Sequence, residues 1–291
     1  MAQHRLVIDF VKVCEREKGC KTMKDILAEI VEKKKEIVAE ARRQLPLKEV
    51  KARLNEGKGS FGHFRMGHSF RQRPWNLIAE CKLQSPAKGR LNKTHSVVEM
   101  AHIYEANGAS MLSVHTDPHF LGSNESFKEV RQAVELPLLR KDFVIDEYQL
   151  YEARLLGADA VLLIARILTP IQLKEYLYTA WSLGMDALVE VHDEEDMEAA
   201  MATPAEFIGI NNRNLVTFQT DIKNTLELLP YVTRECTLIS ESGVFTQEDG
   251  EILHQAGCKG ILVGEGLVRA GDMARQTRIM AGIGKKAEAS A

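Results

Sequence analysis

Features that mark a secreted, membrane-spanning or nucleic-acid-binding protein are missing from this sequence. Its five cysteines, Cys14, Cys20, Cys81, Cys236 and Cys258, are odd in number and none stands in a C-x-x-C pair. That argues against a disulfide framework and a structural zinc site, and fits a reducing cytoplasm. No sign of charge dominates: 38 Lys and Arg face 41 Asp and Glu, for a net −3, without an acidic tail or a basic stripe. A nucleic-acid partner is therefore not expected. The longest strand-like apolar run, Ala160 to Ala165, is far too short for a bilayer, and Asp9 and Lys12 interrupt Leu6-Val7-Ile8 and Phe10-Val11. Neither a membrane span nor a signal peptide is expected. No G-x-G-x-x-G follows the first apolar run of the main domain, so the dinucleotide fingerprint of a doubly wound sheet is absent.

What remains is material for a soluble core, 45% hydrophobic residues over 291 positions, and a small-molecule partner. Met23, Ile26, Leu27, Ile30 and Val31 recur at helical period, which predicts an amphipathic helix from about Thr22 to Arg43. The aperiodic stretch from Gly57 to Pro74 reads as a connecting loop. From Leu77 onward short apolar runs alternate with amphipathic stretches, the pattern of successive βα units. Strands are expected near 77–81, 110–114, 136–139, 160–165, 186–191, 207–211, 237–240 and 260–263. Gly108, Gly157, Gly184 and Gly257 precede several of them, as helix C-caps do. Eight such units in about 215 residues predict a (β/α)8 TIM barrel. The expected domains are a helical extension over 1–60 and a catalytic barrel over 61–291.

Polar residues sit where these apolar runs end. Leu77-Ile78-Ala79 runs into Glu80-Cys81-Lys82, Leu138-Leu139 into Arg140-Lys141-Asp142, Leu188-Val189 into Glu190-Val191-His192, and Ile208-Gly209-Ile210 into Asn211-Asn212-Arg213. Burying unpaired charge costs several kcal/mol, so strands that end this way imply one shared polar mouth, which in a barrel is the C-terminal rim. Alternation puts Glu80 and Lys82 on one face and turns Cys81 toward the helices, while Gly209 and Asn211 face inward between Ile208 and Ile210. Ser240-Glu241-Ser242-Gly243 and Val263-Gly264-Glu265-Gly266 follow strands seven and eight, the usual phosphate site of such barrels. A phosphorylated substrate is the expectation.

These motifs, together with Ser85-Pro86 and Lys141-Asp142-Phe143, closely resemble indole-3-glycerol-phosphate synthases over almost the whole barrel, and the preceding helix resembles that family's N-terminal extension. The resemblance implies a cofactor-free carboxy-lyase of tryptophan biosynthesis, a cytoplasmic monomer or weak homo-oligomer. It would close 1-(2-carboxyphenylamino)-1-deoxyribulose 5-phosphate to the indole with loss of carbon dioxide and water. Lys141 would be the acid at condensation, Glu190 an acid or base in dehydration, and Lys82 a second lysine near the substrate carboxylate. Glu80 would orient Lys82, Asn211 would hold a hydroxyl, and Ser242 would complete the polar wall. Arg213 would pair with the anthranilate carboxylate. Ser85, Gly243, Gly264 and Glu265 would frame the phosphate, Glu265 through its backbone N–H. No metal is implied.

Blander readings apply elsewhere: Lys88 as a solvated loop lysine, His192 behind the catalytic groups, Ser240 as structural, Met185 and Met201 as core. The chain departs from the family pattern at Ala87, at His115 in place of a common leucine, in the shorter 118–123 stretch with one aromatic, and at Gly266. The competing expectations are another ribulose-phosphate-binding barrel enzyme and a catalytically silent phosphate-binding subunit. Neither requires two lysines and two glutamates in these motifs.

Overall fold

A computed structural model describes residues 23–57, 63–85, 89–214 and 219–284. Cys14, Cys20, Pro86, Ala87 and Lys88 lie outside the described residues. Eight parallel strands close into a barrel: β1 (Asn76–Cys81), β4 (Met111–His115), β5 (Leu138–Lys141), β6 (Ala160–Ile164), β7 (Asp186–Val191), β8 (Phe207–Asn211), β9 (Thr237–Glu241) and β10 (Gly260–Val263), with β1 pairing both β4 and β10. Each lies within a residue or two of its expected position. Two short antiparallel strands, β2 (Gln84–Ser85) and β3 (Gly89–Arg90), form a ribbon beyond β1.

Side-chain alternation divides the core into two layers. Leu77, Ala79 and Cys81 join Ile208, Ile210 and Met185 in the layer between strands and helices, with Met201 packed against it. Ile78, Met111, Leu139, Leu188, Phe207 and Ile239 fill the barrel interior. Gly108, Gly157, Gly184 and Gly257 adopt left-handed φ of 95°, 92°, 72° and 102°, which glycine tolerates without a Cβ penalty. The helices therefore end where the chain must turn back into the sheet.

The expected loop between Gly57 and Pro74 is corrected by the structure. It holds a helix, Arg65–Arg71, that plugs the N-terminal end of the barrel with Met66 and Phe70. Phe70 meets Phe207 edge to face at 5.5 Å. The Gly67 N–H donates to the Asp186 carboxylate at 3.1 Å, and Arg65 reaches Asp159 at 3.0 Å. Two apolar residues four apart are too few to register as a period, so partners distant in sequence define this helix.

Two helices, Met23–Gln44 and Leu47–Asn55, precede it. Along the first, the buried stripe is Ile30, Lys34 and Val38, at the i, i+4 spacing of one helix face. A lysine in that stripe requires counter-charge. Lys34 Nζ lies 2.7 Å from Asp117 and 2.6 Å from Asp142, all three side chains at most 3% exposed. The extension is thus tied to the chain beyond β4 and β5. Among the described residues no helix is long and apolar enough to cross a membrane.

Candidate active site

One cavity opens at the C-terminal end of the strands, and Glu80, Lys82, Ser85, Lys141, Glu190, Asn211, Arg213, Ser242, Gly243, Gly264 and Glu265 all line it. The structure therefore brings together every residue to which the resemblance gives a catalytic or binding role. Register explains the convergence: Asn211 stands beside Glu241, and Glu190 beside Gly209. Inward-facing positions at strand ends meet at one level of a closed barrel.

Lys141 is the electrostatic centre. Its Nζ lies 2.9 Å from Glu190 Oε2 and 2.7 Å from Glu241 Oε2. Burial opposes its charge, but Glu190, Glu241 and Glu80 outweigh that and hold its pKa well above the ordinary lysine value. The two carboxylates sharing it diverge. Burial would raise Glu190, yet Lys141, His192 and a hydrogen bond from Asn211 bring it down to about 2. Burial, with repulsion from Glu190 and Glu80, pushes Glu241 up to about 7 despite Lys141. Two carboxyls with pKa values driven apart around one ammonium supply both proton donor and acceptor.

The second pair sits at the end of β1, two strands round the barrel from Lys141, with Lys82 Nζ 2.8 Å from Glu80 Oε1. Burial acts to raise Glu80, and Lys82, His115 and Lys141 overcome it, so the carboxyl is held well below its usual range. An apolar wall completes the cavity: Phe120, Phe143, Leu162 and Ile164 from the barrel, Ile26 and Ile30 from the extension. A flat aromatic ring can rest there within reach of both lysines.

The loop after β9 is held in an uncommon conformation. Ser242 has φ 65° and Gly243 φ 77°, and a left-handed non-glycine residue costs about 1–3 kcal/mol. Asn212 holds it there: its amide donates to the Ser242 carbonyl at 2.9 Å and to Ser240 Oγ at 2.8 Å, while its carbonyl oxygen accepts from Thr225. Ser240 is accordingly a buried structural hydroxyl. His192, expected behind Glu190, instead lines the cavity beside it, Nε2 to Oε1 3.4 Å, and its backbone N–H donates to Asp196. The Glu265 carboxylate is engaged by Arg269 at 2.7 Å. Among the described residues, no group of three or more His, Cys, Asp and Glu is placed to hold a metal ion.

A family model described as indole-3-glycerol phosphate synthase matches residues 27–280. An indole-3-glycerol phosphate synthase of Desulforamulus reducens is 44% identical over 271 residues, spanning 91% of this chain and 100% of the relative.

The chain belongs to the indole-3-glycerol phosphate synthase family.

The family's synthase from Bordetella pertussis is 42% identical, over 86% of this chain and 96% of its own. Among solved structures, a 3-hexulose-6-phosphate synthase covers 72% of this chain and 99% of its own with a TM-score of 0.58 at 15% identity. Orotidine 5'-phosphate decarboxylase from Pyrococcus horikoshii covers 72% of this chain and 100% of its own, with a TM-score of 0.55 at 10% identity. At such identities the likeness is one of barrel fold.

Glu241 also lines the cavity, although its motif Ser240-Glu241-Ser242-Gly243 announces only a glycine turn. Alternation from Ile239, a barrel-interior residue, was the available signal, since it turns Glu241 inward as well. His115 and Phe120 also line the cavity. His115 stood out only as a departure from the family pattern.

Proposed function

We propose that the chain closes 1-(2-carboxyphenylamino)-1-deoxyribulose 5-phosphate to indole-3-glycerol phosphate, releasing carbon dioxide and water, as a carboxy-lyase of tryptophan biosynthesis. The observation that carries this reading is Lys141 bridging Glu190 and Glu241 beside the Lys82–Glu80 pair, under an aromatic wall. Within it, the ring carbon bearing the carboxylate attacks the ribulose ketone while the Lys141 ammonium gives its proton to the ketone oxygen. The bond to the carboxylate breaks, carbon dioxide leaves, and its electron pair restores the aromatic ring. In dehydration the new hydroxyl departs as water on receiving a proton, and a proton is taken from the adjacent methylene to form the indole double bond. Glu190 serves that second stage. Lys82, held by Glu80, and Arg213 receive the anthranilate carboxylate; Asn211 holds a ribulose hydroxyl, and Ser242 completes the wall. The phosphate rests among Ser85, Gly243, Gly264 and the Glu265 N–H. On this reading the enzyme works in the cytoplasm as a monomer or weak homo-oligomer, with neither nucleic acid nor cofactor.

Incubation of the purified protein with the arylamino-deoxyribulose phosphate tests it. The indole chromophore should appear with one carbon dioxide released per indole formed; a protein that leaves the substrate intact would overturn the reading.

A further inference from the structure

His115 ends β4 inside the cavity, 6% exposed, and the cofactor-free chemistry above gives it no task. Its ring stacks on Phe120 with centroids 4.5 Å apart and planes 3° from parallel. That face-to-face contact fixes the imidazole plane. Its Nε2 then points to Glu80 Oε1 at 3.2 Å, where it lacks a well-aligned hydrogen bond. The same oxygen accepts Lys82 Nζ at 2.8 Å. Phe120 in turn lies 5.7 Å from Lys82 Nζ and 6.1 Å from the Phe143 ring, so one imidazole touches both the ion pair and the aromatic wall.

We infer that His115 is a positioning residue that gates the site by pH: uncharged, it leaves Glu80 Oε1 to Lys82, and protonated, it competes for that oxygen and adds a third cation beside Lys82 and Lys141. The charged groups facing it are Glu80 and Lys82 on β1 and Lys141 on β5, its register partner. In its own turn Asp117 and His119 pair with each other at 2.8 Å, and Lys34 of the Met23–Gln44 helix holds Asp117. Burial is the main influence that keeps the imidazole below its ordinary value of 6.5; Glu80 opposes it by attracting the charge, and Lys82 and Lys141 add to it. As the pH falls, the imidazolium forms and Glu80 loosens its hold on Lys82.

The effect on turnover rests on the synthase reading; the titration does not. Two measurements therefore separate them. In kcat/KM against pH, the wild type should lose about tenfold per pH unit below the His115 pKa, whereas His115→Gln and His115→Leu should lack that acid limb. By NMR of 13C-histidine-labelled protein, the His115 pKa should fall in Glu80→Gln, which removes the attracting charge. Where there is no turnover, or one variant does not fold, the titration in Glu80→Gln decides. A limb at the NMR-measured His115 pKa that persists in both His115 variants, or a His115 titration indifferent to Glu80→Gln, would overturn the inference.

Discussion

Gly209 leaves the space that the Glu241 carboxylate occupies: a Cβ at residue 209 would fall 2.0 Å from Glu241 Oε1. The glycine on one strand thus permits the carboxylate of the next to lie across the barrel and reach Lys141. Gly209→Ala should displace Glu241, lower kcat, and cost about 1–3 kcal/mol as an overpacked interior does. In a Glu241→Ala background the same change should have little further effect, because the clashing atoms are gone. Kinetics and urea unfolding of the two single variants and the double variant measure this; strictly additive losses would contradict it.

Glu241 also predicts a pH dependence of stability. A carboxyl whose folded pKa stands at about 7, against an ordinary 4.5, binds its proton more tightly in the folded than in the unfolded chain. That contribution is complete below about 4.5 and is lost as the pH rises through 7. Glutamine cannot titrate, so the melting temperature of Glu241→Gln should gain on the wild type between pH 4.5 and pH 8. A difference constant across that range would show that Glu241 ionises as freely as an exposed carboxylate.

Lys34 should matter for stability far beyond an ordinary helix lysine. Its charge is buried between Asp117 and Asp142, and removing one partner of a buried pair costs about 3–5 kcal/mol. Lys34→Met keeps the apolar stem and removes the charge. Denaturant unfolding should register a loss of that size. A loss under about 1 kcal/mol, the value of an exposed pair, would contradict the placement.

The strands, their inward faces and the shared mouth were legible because period-two alternation and charge at the ends of apolar runs are local signals. Glu80, Lys82 and Asn211 could be placed by counting from Ile78 and Gly209. The plug helix Arg65–Arg71 was not legible, because its partners Phe207, Asp159 and Asp186 are far away in sequence. Lys34 was hidden for the same reason: read along its own helix it belongs to a Lys/Glu-rich face, and only Asp117 and Asp142 make burial tolerable. Gly264 was legible as a turn glycine, but a Cβ there would also meet Glu80 Oε1 at 2.6 Å. Its substitution therefore disturbs the Glu80–Lys82 pair as well as any phosphate.

The most direct test of the acid–base array is the turnover of Lys141→Met and Glu190→Gln, with thermal unfolding to verify the fold. General acid–base groups contribute about 10²–10⁴-fold, and both variants should lose kcat within that range, since the interactions are made in the transition state. Well-folded variants that keep more than about a tenth of wild-type kcat, or that lose only in KM, would contradict the account.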